Sequence, residues 1–175
     1  IALSTFFLNQ NFPEKKILTY NNIKNNKLIV DDIANYDIIM IPPWVNFENI
    51  KIDLFINTRS MMEMNFDTIK NYFKFIQKNI SNQGYLFNCN RYYKDTVGQP
   101  IKLHEYPYDK FWKLISSKPT WCQRRLHTLI TKRVSEESSE IEKEMLKIRI
   151  LAKNHTPHFL QKFKIFNFIK KSLKL

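Results

Sequence analysis

Asp53 to Ile56 forms a short apolar run that predicts a buried strand, and it breaks abruptly into Asn57, Thr58, Arg59 and Ser60. Met61, Met62 and Met64 follow, with Glu63 set among them. Ile69, Tyr72, Phe73, Ile76 and Ile80 then recur at helical spacing with lysines opposite, which predicts an amphipathic helix over 67–80. Asn65 or Asp67 caps its start, and Ser81 to Gly84 ends it. Tyr85-Leu86-Phe87 reads as a second buried strand. Residues 53–89 thus have the length and order of a parallel strand–helix–strand unit. Parallel strands end on the same edge of a sheet, and open α/β sheets bind ligands in the crevice there. Asn57, Ser60 and Glu63 leave the first strand at that edge; Asn88, Asn90 and Arg91 leave the second.

Upstream, residues 1–12 suit a helix, Lys16 to Tyr20 a short strand, and Asp37 to Ile41 another that ends in Pro42-Pro43-Trp44. Prolines stop a sheet ladder, and a tryptophan beside them offers a flat apolar wall or fills a core. Downstream, Phe111 to Ser116 fits helix or strand, while the β-branched Leu126 to Val134 fits a strand. The two together suit an antiparallel hairpin around Lys118-Pro119 that closes the sheet. A helix begins over 135–148, with serines at its start, acids early and lysines late. From Arg149 onward there are seven basic residues and no acids, and Phe159, Phe163, Phe166, Ile169 and Leu173 fall on one helical face. Such a helix lies on an anionic membrane surface or docks on its own domain.

Composition narrows the possibilities. A chain of 175 residues with 14% aromatics is globular and suits one domain. No apolar run reaches the ~18–20 residues of a membrane span, and the start lacks signal-peptide features. The chain opens on Ile1 inside an apolar run, as expected of a helix entered mid-course. Two glycines, Gly84 and Gly98, leave no room for a glycine-rich nucleotide loop. Cys89 and Cys122 lack metal-ligand spacing and read as two reduced thiols, a disulfide being the alternative. The chain carries a net charge of +12; its basic residues are scattered through residues 15–133 rather than striped, and lysine is abundant together with Asn, Ile and Phe. That pattern fits compositional bias and argues against a nucleic-acid site before residue 149.

The string Asp53-Leu54-Phe55-Ile56-Asn57-Thr58, then Ser60, then Glu63-Met64, resembles the sugar O-methyltransferases of bacterial surface-polysaccharide clusters. Tyr72-Phe73, Asn90-Arg91, Ile41 to Trp44 and Leu126 to Ile130 extend the resemblance over roughly residues 1–134. It implies an α/β fold: the Rossmann-like sheet of a class I S-adenosylmethionine-dependent methyltransferase. Here the N-terminal strands and their glycine-rich loop are missing, an antiparallel hairpin closes the sheet, and a helical tail follows. Residues 1–134 would be the incomplete methyltransferase domain and 135–175 a helical extension with a basic amphipathic end. The glycine loop and the acidic residue that grips the cofactor ribose belong upstream of Ile1, so the chain would be the C-terminal part of the enzyme. The resemblance also places Asn57 and Ser60 nearest S-adenosylmethionine, with Pro42, Pro43 and Trp44 bordering its adenine.

Methyl transfer to a sugar hydroxyl is an in-line displacement that needs alignment and removal of a proton of high pKa. Glu63 is the first candidate base or hydroxyl acceptor, with its pKa raised by the methionines around it. The competing reading has it capping a helix or pairing with Arg59 or Arg91. His127, in the closing strand, is the second candidate and also fits a satisfied core residue; His104 is the third. His155 and His158 flank Pro157 without acids nearby, so no metal site is expected. Asn88, Asn90 and Arg91 suit hydroxyl and carboxylate recognition of the substrate, or ordinary turn chemistry.

The expected function is therefore O-methyl transfer to a sugar of a surface polysaccharide or its precursor. The setting would be the cytoplasm, with residues 155–175 holding the chain at the inner membrane. The alternative is a non-catalytic basic module for anionic membrane or nucleic acid, with salt-sensitive affinity and no cofactor requirement. A third reading, an RNA substrate, lacks the basic aromatic stripe it would need. Oligomeric state is open.

Overall fold

The apolar stripe of residues 67–80 folds as expected in the computed structural model, which describes residues 2–23, 27–29, 33–95 and 98–154. The chain divides into two compact units, residues 1–51 and 52–175, and each is taken by itself.

In the first unit, α1 (Ala2–Asn11) precedes four three-residue strands: β1 (Ile17–Thr19), β2 (Lys27–Ile29), β3 (Ile38–Met40) and β4 (Asn46–Glu48). β1 pairs with β3 and β2 with β4, both parallel. Leu18, Leu28, Val45 and Ile50 are buried, whereas α1 buries none of its side chains. Trp44 is 62% exposed and meets Tyr20 edge to face, so it is not a core filler.

The second unit is a mixed α/β structure around a four-stranded sheet. Its elements are β5 (Ile52–Thr58), α2 (Phe66–Asn79), β6 (Ile80–Arg91), β7 (Tyr93–Lys94), β8 (Ile101–Lys102), β9 (Trp112–Pro119), β10 (Leu126–Arg133) and α3 (Glu140–Asn154). The sheet order is β5-β6-β10-β9, with β5 and β6 parallel and β10 antiparallel to both its neighbours. The parallel crossover and the closing hairpin thus form as the pattern predicts. Phe111 to Ser116 resolves as strand from Trp112, and the hairpin turn lies beyond Pro119 rather than at Lys118.

Asn65 is the residue that caps α2, its Oδ1 accepting from the Thr68 amide at 2.8 Å. Ile69, Phe73 and Ile76 of α2 join Leu86, Trp112 and Leu129 of the sheet in one core. Ile141, Ile148 and Ala152 of α3 belong to that same core, so this helix packs as a layer of the unit. It starts at Glu140, later than the serine and acid pattern predicts.

One glycine is required by the entry into β6. Gln83 has φ of 71°, and the β5 register shifts between Ile52 and Leu54. A Cβ on Gly84 would lie 2.8 Å from Ile80 Cγ1 and 2.9 Å from the Ser81 carbonyl oxygen.

The buried-strand expectation for 53–56 needs correction. β5 is an edge of the described sheet, and Leu54 and Ile56 are 51% and 66% exposed. Only the alternate side chain Phe55 turns to the core, where it meets Phe75 edge to face. Tyr85 and Ile115 are exposed as well, so the sheet's apolar side opposite the helices is partly open.

Candidate functional site

Ladder register decides which polar side chains meet. Asn57 lies opposite Asn88 across β5 and β6, and Asn90 lies opposite His127 across β6 and β10. Strand alternation puts Asn57, Asn88, Asn90 and His127 on one sheet face, the face that carries Leu86 and Leu129 of the core. The row stands where the parallel strands end.

Asn88 and Asn90 are fully buried, so their amides must find partners within the protein. Asn90 Nδ2 donates to Asn57 Oδ1 at 2.7 Å and to Asn88 Oδ1, while Asn90 Oδ1 accepts from the Met62 amide at 3.2 Å. Asn88 Nδ2 donates to the Tyr108 hydroxyl at 3.3 Å. Burial, foremost, pushes that phenol well above its ordinary range and keeps it protonated. Asn57 Nδ2 donates to Ser60 Oγ. Asn57 is half-buried and Ser60 exposed, so the cluster runs from a sealed interior to open solvent.

The backbone between them is strained. Arg59 has φ of 64°, in the left-handed region that non-glycine residues avoid, and its amide is held by the Cys89 carbonyl at 2.8 Å. This kink delivers the chain into the turn Met61–Glu63. Met61 packs into the main core, whereas Met62 joins Cys89 and Leu126 in a smaller cluster. The methionines therefore clamp the turn over the strand ends. They do not desolvate Glu63, whose side chain is 51% exposed and ion-paired with the nearly buried Lys94. The expectation of an apolar pocket around the carboxylate is wrong, and its partner is neither Arg59 nor Arg91.

His127 is 1% exposed and sits inside a relay. Tyr92 Oη lies 2.8 Å from its Nδ1 and Ser117 Oγ 2.7 Å from its Nε2. Ser117 Oγ donates to Glu144 Oε1 at 2.5 Å, and Glu144 Oε2 accepts from Lys147 at 2.8 Å. Because the serine proton is committed to the carboxylate, Nε2 carries a proton directed at Ser117 Oγ. Desolvation pushes the Tyr92 phenol up to about 12, which keeps it protonated at neutral pH. For Glu144, burial raises the pKa, but hydrogen bonds from Lys147 and Ser117 outweigh it and hold the carboxyl below its ordinary range.

The structure thus brings together Asn57, Ser60, Asn88 and Asn90, with His127 adjacent and Glu63 on the rim. Arg91 is not part of the cluster: alternation along β6 turns it to the opposite face, where it pairs in register with Leu126. Pro42 and Trp44 belong to the first unit, where the Pro42 carbonyl accepts from the Val45 amide at 3.2 Å. His155, His158 and the basic segment 155–175 lie outside the described residues. Among the described residues, no three metal-ligating side chains gather and no helix is long and apolar enough to cross a membrane. Cys89 is buried and Cys122 exposed, both as free thiols. Ser117, Tyr92, Glu144 and Lys94 were not legible as partners, since each reaches its neighbour only through the fold.

Comparison with family models, with curated proteins and with solved structures returns no match to this chain.

Proposed function

We propose that this chain supplies the acceptor side of an S-adenosylmethionine-dependent O-methyltransferase acting on a sugar hydroxyl. The observation that carries the reading is the amide cluster at the carboxyl edge of two parallel strands, graded from buried Asn88 and Asn90 to exposed Ser60. Amides both donate and accept, as recognition of hydroxyl groups demands. Two parallel strands joined through a helix and closed by an antiparallel hairpin also agree with the C-terminal part of the sheet that the resemblance implies.

The residues present do not complete a cofactor site. Gly84 is committed to the bulge of β6, and Gly98 lies between β7 and β8 with open space around it. The reading therefore requires a glycine loop and a ribose-binding acid from sequence outside these 175 residues. Asn57 and Ser60 would orient the acceptor hydroxyl at the open end of the cluster. Glu63, on the rim and paired with Lys94, would take its proton.

Sequencing the coding DNA immediately upstream of the Ile1 codon tests this reading. A strand, glycine-rich turn, helix and second strand ending in an acid are expected there. A stop codon or an unrelated sequence would overturn it.

A further inference from the structure

The turn joining β9 to β10 carries the most exposed large apolar side chain of the described residues, Trp121 at 95%. Its indole buries almost nothing within the fold, yet the turn that presents it is firmly held. The Thr120 amide donates to the Leu126 carbonyl at 2.9 Å, and the Leu126 amide to the Gln123 carbonyl at 2.9 Å. Thr120 Oγ1 also lies 3.2 Å from Thr128 Oγ1, and the Arg125 carbonyl accepts from the Tyr92 amide at 3.1 Å. Residues 110–135 hold seven basic residues and no acidic one. Lys110 and Arg133 are ion-paired with Glu137 and Asp109. Lys118, Arg124 and Arg125 are exposed and have no carboxylate partner among the described residues. Because Leu126 faces Arg91 at the end of β6, this tip stands on the strand-end edge that carries the amide cluster.

We propose that the β9–β10 tip docks on an anionic membrane surface, with the Trp121 indole in the headgroup layer and Lys118, Arg124 and Arg125 against lipid phosphates. Tryptophan favours that layer because its ring meets the acyl boundary while its N–H stays hydrated. Each cation beside it adds attraction to the negative surface. A nucleic-acid strand fits the tip less well. Stacking platforms offer several aromatics along a groove, and this tip is a hairpin turn with a single indole. The membrane assignment stands on the hairpin alone. Joined to the methyl-transfer reading, and resting on it, the docked tip names a lipid-linked sugar as acceptor, because the edge with the amide cluster would then face the bilayer.

The test uses the full chain, so that residues 155–175 are the same in every sample. Vesicles of phosphatidylcholine with and without phosphatidylglycerol are the probe, read by cosedimentation and by indole emission in a Trp44→Phe background. There Trp121 is the exposed indole and Trp112 is buried. Binding should require the anionic lipid, shift the emission to the blue, and allow quenching by lipids brominated on the acyl chain. Trp121→Ala should keep the parent's urea midpoint and bind roughly tenfold more weakly. Arg124→Ala with Arg125→Ala should weaken binding roughly fivefold per charge. Lys74→Ala with Lys143→Ala removes the same charge from α2 and α3 and should weaken it less than about twofold. The proposal is overturned if the anionic vesicles do not bind, if the emission does not move, if Trp121→Ala binds as the parent does, or if the helix pair weakens binding as much as the tip pair. Tighter Trp121-dependent binding to a uridine oligonucleotide than to vesicles would also overturn it. The upstream coding sequence decides the methyl-transfer reading separately, so either can fail alone.

Discussion

Two polar clusters share one face of the sheet and do opposite things with their hydrogen bonds. The amide cluster begins in full burial at Asn88 and Asn90 but ends at Ser60 in solvent. The imidazole relay runs from Tyr92 through His127 and Ser117 to Glu144, with each ring nitrogen in contact with a hydroxyl inside the protein. The first ends at an exposed serine, where under the proposed function an acceptor hydroxyl would replace a partner. The second uses its donors and acceptors to tie the exit of β6 to β10, β9 and α3. Burial and hydrogen-bond capacity look alike in a residue count; the exposed end is what distinguishes the amide cluster from the relay.

That contrast can be broken by substitution. The largest effect is expected for Asn90→Ala, which strands the Met62 amide and the Asn88 amide oxygen in the interior and leaves the half-buried Asn57 oxygen without its donor; unfolding in urea should show a loss of about 3 kcal/mol. Ser117→Ala cuts the relay at its centre and should cost about 1–2 kcal/mol by the same measurement.

Glu144 sharpens the comparison through pH. Its folded pKa lies below the ordinary 4.5, so its stabilisation is complete above that value and is lost as pH falls through the lower folded one. The urea midpoint of Glu144→Gln should therefore fall less steeply below pH 4.5 than that of the parent chain. The amide cluster does not titrate and adds nothing to that slope.

The smallest effect belongs to the kink. Arg59→Gly relieves a left-handed residue but frees the unfolded chain, so a gain of only about 0.5 kcal/mol is expected in thermal or urea unfolding.

How legible these clusters were follows from how local their causes are. The stripe of Ile69, Phe73 and Ile76 and a cap at Asn65 or Asp67 rest on neighbours within a turn or two, and the pattern predicted them, with the structure choosing Asn65; the parallel crossover followed from the order and spacing of the apolar segments. The amides were legible because they follow apolar strands directly. Ser117 and Glu144 carry no such mark: one lies at the end of a segment that fitted helix or strand, the other among several acids of a surface-patterned helix. Lys94 reaches Glu63 from 31 positions away. The apolar run 53–56 misled because hydrophobicity records what a face can cover, and Leu54 and Ile56 stand on a sheet edge. Arg91 misled because adjacency in sequence is opposition across a strand.

The central proposal, that the open cluster recognises the acceptor while the closed one braces the fold, is tested most directly by methyl transfer, measured with whatever upstream coding sequence the proposed reading supplies. Radiolabelled S-adenosylmethionine and a surface-polysaccharide sugar precursor would be the substrates, with Asn57→Ala compared against Ser117→Ala per folded molecule. The account predicts roughly 100-fold slower transfer for Asn57→Ala with little change in melting, and transfer within about threefold of the parent for Ser117→Ala despite its lower stability. Unimpaired transfer in Asn57→Ala, or a larger loss in Ser117→Ala, would contradict it.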